Sequence, residues 1–436
     1  MNVNPVVASS GHRSPPDAHL FWPIDRWRAF QAERLTQHLR HARTSPLYRQ
    51  FDLDVPGTQS FDQLPITTKD QLAAAGRGAW AVPAESVAEW VCTSGTAGKP
   101  LDVPLTRDDL DRLAENEAVA LSIAGVRRGD LFLLAVGMDR LFVAGLAYWL
   151  GAQRLGATCI RIGPQVASHP ELLGELLERI APAPERRVFV IAVPSFLSSA
   201  LPPALPLTGI IGIGEPIRAE SLTPNSLGQT LRDRFDCAVM STYAATETCV
   251  TFAEGPLCQG GHLNPALAVV EILDDAGQPV ADGQVGEVVI TPLGMQAMPL
   301  LRFRIGDMAA LFADPCRCGR TTPRLGPILG RRQQLLKVRG TSLFPSAIIE
   351  ALRSDPDVVD CVVIAEARET LSDTVSAYIH AREETDGIRQ RVESRLRAML
   401  RVTPTLHFTT AEAIHVLQSS TGSRKPVRFL DRRVVG

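Results

Sequence analysis

The sequence predicts an α/β protein. A large N-terminal domain of α/β sheets carries a small β subdomain, and a small α+β domain follows. Three observations lead there. Between Leu131 and Tyr243 short apolar runs alternate with helical patterns, as in a mostly parallel sheet covered on both faces. After about His262 the apolar period falls to two, which marks antiparallel strands. Beyond Leu335 the elements run strand, helix, strand, strand, helix, strand. A length of 436 residues suits two or three domains.

Each element has a local reason. From Gln31 to Tyr48 apolar residues recur at helical spacing, with Leu35, Leu39 and Ala42 on one face, and the helix should stop before Pro46. LFLLAV (131–136), ATCIRI (157–162), VFVIAV (188–193), GIIGIG (209–214) and CAVMSTY (237–243) read as buried strands. LFVAGLAYWLGAQRLG (141–156) and PELLGELLERI (170–180) read as the helices between them. LAVVEILDDAGQPVADGQVGEVVIT holds two period-2 runs around an Asp-Ala-Gly turn, so the β subdomain is placed at about 263–330. CGRTTPRLGPILGRR (318–332) reads as a linker. The domain boundary then falls between 330 and 331, and the order LLKVRG, PSAIIEALRS, DVVDCVVIAEA, TVSAYIHA, IRQRVESRLRAML, TLHFTT is ferredoxin-like.

Bulk properties narrow the function classes. With 45 Lys and Arg against 47 Asp and Glu, the formal net charge of -2 gives no general attraction to nucleic acid or anionic membrane. The 45% hydrophobic content supplies a core. Eight cysteines are too few for a disulfide scaffold. No signal-peptide pattern opens the chain and no long uncharged run spans a bilayer. The expectation is a reduced, cytoplasmic protein with no nucleic-acid or membrane partner, and a C₂ homodimer by base rate.

Four stretches carry chemistry. VCTSGTAGKP (91–100) is a glycine-rich turn after a strand. Its backbone N–H groups, the Ser94 and Thr96 hydroxyls and Lys99 could hold phosphate, although Gly95 and Gly98 are too close for the Walker spacing. An exposed polar turn is the other reading. STYAATET (241–248) ends a strand of a parallel sheet, where such folds bind ligands, and the lone carboxylate of Glu247 suits Mg²⁺. A strand capped by a Thr/Glu turn is the alternative. GSRKPVRFLDRR (422–433) is a basic tail that could equally be a solvated face. Cys258-x-x-x-His262 with Cys316-x-Cys318 offers three sulfurs and an imidazole, a donor set for a closed, structural zinc site; free cysteines are the alternative.

TSGTAGKP resembles the phosphate loop of the acyl-adenylate-forming superfamily, whose companion motifs follow in order. The resemblance gives Thr93, Ser94, Gly95, Thr96, Gly98 and Lys99 to the triphosphate. IGIGEPI (211–217) is similar to the segment bordering adenine, with Gly214, Glu215 and Pro216. STYAATET resembles the Tyr-Gly-x-Thr-Glu motif: Tyr243 would stack on adenine, Thr246 contact the α-phosphate and Glu247 hold Mg²⁺. LLRFRIGDM (300–308) implies that Asp307 takes the ribose hydroxyls, and a carboxylate can accept both. GRRQQLLKVRG (330–340) resembles the interdomain hinge, with Arg331 reaching ribose or phosphate. In the tail, Lys425 aligns with the catalytic lysine, which would neutralise charge as pyrophosphate leaves.

The resemblance narrows to the phenylacetate–CoA ligase type over nearly the whole chain. QAERLTQHLRHARTSPLYRQF (31–51), FDQLPITTKDQL (61–72), LFVAGLAYWLGAQRLGAT (141–158) and residues 316–350 carry it. It implies a ligase using ATP/Mg²⁺ and coenzyme A. A carboxylate would attack the α-phosphate to give acyl-AMP; the mobile C-terminal domain, 331–436, would then swing and admit the thiol. The acid pocket is expected from Phe142, Ala144, Gly145, Gly212, Gly214, Tyr243, Ala244 and Ala245. Asp139 stands where relatives carry an aromatic residue; it could pair with a ring amino or hydroxyl group, or form a surface ion pair. Ala97, Ala244 and Gln333 also depart from the pattern, and the added methyl of Ala244 would favour a compact acid. The implied substrate is a benzoate-sized aromatic acid, amino- or hydroxy-substituted, such as anthranilate. Transfer to an acyl carrier protein or an amine is an alternative; a non-catalytic adenylate-binding protein is a third, weighed against by Glu247, Asp307 and Lys425.

Overall fold

The computed structural model describes residues 15–51, 53, 61–93, 100–163, 170–180, 186–202, 205–338, 341–366, 372–400, 402–420 and 427–433. The N-terminal layer begins with α1 (Ile24–Ala42), which starts seven residues before the periodic stretch because Pro23 sets its entry. α2 (Lys69–Ala75) opens on a capping box in which Thr68 and Gln71 satisfy each other's backbone N–H. The hairpin of β1 (Glu89–Cys92) and β2 (Asp102–Leu105) follows, with Cys92 opposite Asp102, so residues 94–99 join two antiparallel strands. A second capping box, Thr106 with Asp109, starts α3 (Arg107–Ile123).

The alternating region folds as its pattern implies. β3 (Leu131–Leu134), α4 (Val143–Leu155), β4 (Thr158–Arg161), α5 (Pro170–Ile180), β5 (Val188–Ala192), α6 (Pro194–Ala200), β6 (Gly209–Ile213), α7 (Ser226–Arg234) and β7 (Ala238–Ala245) alternate. β4, β3, β5, β6 and β7 lie side by side and parallel. Leu131–Leu134 and Val188–Ala192 are buried throughout, so the uninterrupted apolar runs reflect cover on both faces.

β8 (Val250–Ala253), β9 (Gly261–His262), β10 (Ala268–Leu273), β11 (Val285–Pro292), β12 (Phe303–Phe312), β13 (Arg324–Leu325) and β14 (Gly330–Arg331) turn the sheet antiparallel. Among the described residues twelve strands form one sheet, eleven along a single hydrogen-bonded path and β14 beside β12, because β13 sits between β12 and β9. The 318–332 stretch is therefore not a plain linker. Arg324 and Leu325 are buried, and Gly330 and Arg331 pair with Met308 and Asp307.

In the C-terminal α+β part, β15 (Leu336–Val338) pairs, among the described residues, with β16 (Thr341–Leu343) alone. α8 (Pro345–Arg353), β17 (Val358–Glu366), β18 (Thr374–Ala381), α9 (Asp386–Leu400), β19 (Thr405–Phe408), α10 (Ala411–Ser419) and β20 (Phe429–Arg432) follow. The four-stranded sheet runs β19-β18-β17-β20, so its second edge comes from the basic tail and not from LLKVRG. Polar residues dominate that tail, and sequence periodicity alone gave no strand there.

Candidate active site

The C-terminal ends of β6 and β7 and the turn after β7 surround a cavity of about 990 Å³. Gly214 follows β6 at φ 76, a conformation that suits glycine. Beside it Glu215 accepts hydrogen bonds from the Ser195 N–H at 2.8 Å and the Ser195 hydroxyl at 3.0 Å. Arg428, on the chain entering β20, lies 3.8 Å from Glu215 and 3.0 Å from Asp360, so this carboxylate is approached from both domains.

Beyond β7 the turn presents Thr246 and Glu247. Lys69, the first residue of α2, places Nζ 3.4 Å from Glu247 Oε1 and donates to Thr93 Oγ1 at 3.3 Å. The Thr93 hydroxyl also accepts from the Leu101 N–H at 2.9 Å, which fixes it at the mouth of the β1–β2 hairpin. Opposite, Asp307 on β12 accepts from the Tyr243 hydroxyl at 2.7 Å and lies 3.5 Å from Arg331 Nε. Burial pushes Asp307 above the ordinary carboxylate range, against the lowering effects of the Tyr243 hydrogen bond and Arg331. Burial, then the Asp307 charge, likewise pushes the Tyr243 phenol well up.

Thr93, Phe142, Ala144, Gly214, Glu215 and Pro216 line the cavity, as do Tyr243, Ala244, Ala245, Thr246, Glu247, Asp307 and Arg331. Gly145 and Gly212 are not among the lining residues and serve close packing: a Cβ at Gly145 would sit 2.3 Å from the Gly137 carbonyl, and one at Gly212 2.9 Å from Pro194. Asp139 is not brought to the cavity. Its exposed carboxylate lies 3.4 Å from Arg140, the surface ion pair. Ser94, Gly95, Thr96, Gly98, Lys99 and Lys425 lie outside the described residues. Lys69 and Glu117 are among the lining residues not singled out from sequence. Lys69 had a readable signal, the Thr68–Gln71 capping box that puts it at a helix start. Glu117, in the middle of α3, had none.

A second cluster lies behind the sheet's antiparallel part. The ligand atoms of Cys258, His262, Cys316 and Cys318 lie within 4.8 Å of one another. His262 Nδ1 faces the Thr322 carbonyl at 3.1 Å and its hydroxyl at 3.0 Å, while Nε2 is 3.2 Å from Cys318 Sγ. An N···S edge of about 3.5 Å is what tetrahedral zinc with these donors requires. The donor set and the outer hydrogen bond of the imidazole therefore fit that ion.

Residues 29–298 match the family of AMP-binding enzymes. The chain belongs to that family. Within it the chain is similar to the phenylacetate–coenzyme A ligase of Thermus thermophilus, 30% identical over 377 residues covering 83% of each chain. It is also 30% identical to the phenylacetate–coenzyme A ligase of Pseudomonas putida over 389 residues, again covering 83% of each. Among solved structures, a 2-hydroxyisobutyryl-CoA ligase in its post-adenylation state superimposes with a TM-score of 0.80 at 22% identity, covering 96% of this chain and 94% of that one.

This AMP-binding enzyme is an AMP-forming acid–thiol ligase of the phenylacetate–CoA ligase type. It activates a carboxylic acid with ATP as acyl-AMP and passes the acyl group to coenzyme A. None of the described helices of this AMP-binding enzyme is long and apolar enough to cross a membrane.

Proposed function

We propose that the acid is aromatic, of benzoate size, with an amino or hydroxyl substituent, anthranilate being the type. One observation carries the reading. The cavity joins a polar, charged end, the Thr246 hydroxyl with Glu247, Asp307 and Arg331, to an apolar wall of Phe142, Val143, Ala147 and Ile213. A flat apolar body fits against such a wall while its carboxylate stays at the charged end. Ala244, where a glycine would leave more room, keeps the space short.

A carboxylate is a poor electrophile until its oxygen belongs to a good leaving group, so the site must first bring two anions together. Lys69 and Arg331 lower the cost of that approach. Thr246 is assigned to the α-phosphate, Tyr243 to adenine and Asp307 to the ribose hydroxyls. Gly214, Glu215 and Pro216 border the base, and the 93–99 loop grips the triphosphate. Glu247 would hold Mg²⁺, which supplies charge neutralisation on the phosphates; Lys69 now occupies that carboxylate. Lys425 is assigned the stabilisation of the departing charge. The cluster of Cys258, His262, Cys316 and Cys318 would hold a structural zinc, with no open position for chemistry.

Pyrophosphate release from ATP, measured with benzoates, phenylacetate, fatty acids and aliphatic hydroxy acids, with and without coenzyme A, tests the reading. Amino- and hydroxybenzoates should give the highest kcat/KM, and coenzyme A should speed turnover more than a carrier protein arm does. Higher kcat/KM for phenylacetate, a long fatty acid or an aliphatic acid would refute it.

A further inference from the structure

We infer that Glu117 is the residue that recognises a hydrogen-bond donor on the body of the acid. This rests on the aromatic-acid reading and deepens it. Glu117 lines the cavity and is 2% exposed. It stands where α3 crosses α4 and β8, beside Tyr148, Thr242 and Thr251.

Its hydrogen bonding is half complete. Oε1 accepts from the Thr251 hydroxyl and from Asn116 Nδ2. Among the described residues Oε2 has no partner, and neither does the neighbouring Asn116 Oδ1. The usual partner of a buried carboxyl is a cation, yet the nearest candidate on the same helix is committed elsewhere. Arg112 donates to the carbonyls of Leu293, Cys249 and Leu267 at 2.6, 2.9 and 2.8 Å. The Tyr148 hydroxyl is 2.9 Å from Thr242 Oγ1, which leaves it engaged as well.

Burial without a full set of partners pushes the Glu117 carboxyl up to about 7. A buried acceptor without a donor costs on the order of 1–3 kcal/mol, and native structures rarely keep one without a reason. The stem is held firmly. Gly151 lets α4 close over it, since a Cβ there would lie 2.4 Å from Glu117 Cβ. The carboxyl therefore cannot turn away to solvent.

Position decides what it meets. Thr251, which holds Oε1, pairs across the β7–β8 ladder with Ala244, two residues before Thr246. Glu117 is thus placed on the acid's side of the cavity, away from the Tyr243–Asp307 pair on the opposite face of β7. An N–H or O–H on the bound acid would supply the missing donor. This is the role that sequence reasoning offered to Asp139, whose carboxylate is exposed.

The test compares kcat/KM for pyrophosphate release in wild type, Glu117→Leu, Glu117→Met and Glu117→Gln. Each enzyme is given benzoate, 2-aminobenzoate, 3- and 4-hydroxybenzoate, isobutyrate and 2-hydroxyisobutyrate. The wild type should prefer the best donor-bearing acid over its unsubstituted parent by about tenfold to a hundredfold. Leu and Met should abolish that ratio while the KM for ATP stays unchanged, and Gln, which keeps an acceptor, should retain part of it. A ratio unchanged in Leu, or in Met should Leu not fold, overturns the inference, because a purely structural role would move the melting temperature and not the preference. Wild-type preference for plain benzoate overturns it too, yet leaves the aromatic reading standing. Preference for 2-hydroxyisobutyrate, lost in Leu, removes the aromatic reading and upholds Glu117.

Discussion

At the residue scale, two buried titratable groups push stability in opposite directions with pH. His38 bridges α1 to the loop after β11: its Nδ1 accepts from the Gly294 N–H at 3.2 Å, so Nε2 carries the proton and donates to the Leu300 carbonyl at 3.0 Å. Burial holds it neutral, lowering its pKa from 6.5 to about 4. A depressed pKa contributes stability above 6.5 that is lost as pH falls toward 4, on the order of 3 kcal/mol. Glu117, raised from 4.5 to about 7, contributes stability below 4.5 that is lost as pH rises through 7, by a similar order. In wild type the two slopes oppose each other. His38→Gln should therefore be less stable at pH 7 than at pH 5, and Glu117→Gln the reverse; urea melts at both values check the signs. Lys425 is the other residue whose single replacement is informative. Lys425→Ala should slow acyl-AMP formation by about 10²–10³-fold while leaving thioester formation from added acyl-AMP largely intact, which separate half-reaction assays resolve. An unchanged adenylation rate would remove the assigned role.

At the element scale, β9 and β13 are only two residues each and pair through His262 opposite Arg324 and Gly261 opposite Leu325. Such short strands need help, and the Cys258, His262, Cys316 and Cys318 cluster lies beside them. Purified protein should contain about one zinc per chain, and chelation or Cys318→Ser should lower the melting temperature by several degrees. Metal analysis that finds no zinc with all four residues intact would defeat this. The buried strands were legible in sequence because their residues are apolar on both faces, as in VFVIA. β13 and β14 were not, since arginine, glycine and proline mark turns unless a neighbour supplies hydrogen bonds. The same limit hid β20, whose Asp431 and Arg432 are exposed and whose pairing with β17 is a tertiary event. Within the site, Glu247 and Asp307 were readable from motifs, whereas Glu117 was not. A lone acid in a helix reads as a solvated face until a second helix is seen to cover it.

At the scale of the whole molecule, polar contacts beyond the Arg331 and Arg332 ion pairs join the two domains. Glu350 on α8 accepts from the Ser226 N–H at 2.6 Å and hydroxyl at 2.9 Å, so it caps the start of α7 from the other domain. Ser346 donates to the Leu329 carbonyl. Arg428 lies between Glu215 and Asp360. These contacts hold Arg428, three positions along the chain from Lys425, beside Glu215 at the cavity. Glu350→Ala and Arg428→Ala should each slow acyl-AMP formation severalfold, with smaller effect on thioester formation from added acyl-AMP. Equal losses in both half-reactions would mean that the contacts serve stability alone.

β12 adds a consequence for motion. This strand is paired by β11 along one edge and by β13 and β14 along the other; Met308 is paired on both, whereas Asp307 pairs with Arg331 where the β11 register shifts. Amides around Met308 lie between two ladders, so in amide hydrogen exchange they belong among the slowest. The β14 ladder ends at Arg331, and the next turn, Arg332–Gln334, belongs to no strand ladder among the described residues. Protection should therefore drop within a few residues of Arg331, which lies beside Asp307. The step in exchange rate would mark on the chain itself where the large sheet hands over to the C-terminal part, with Met308 on the protected side of it.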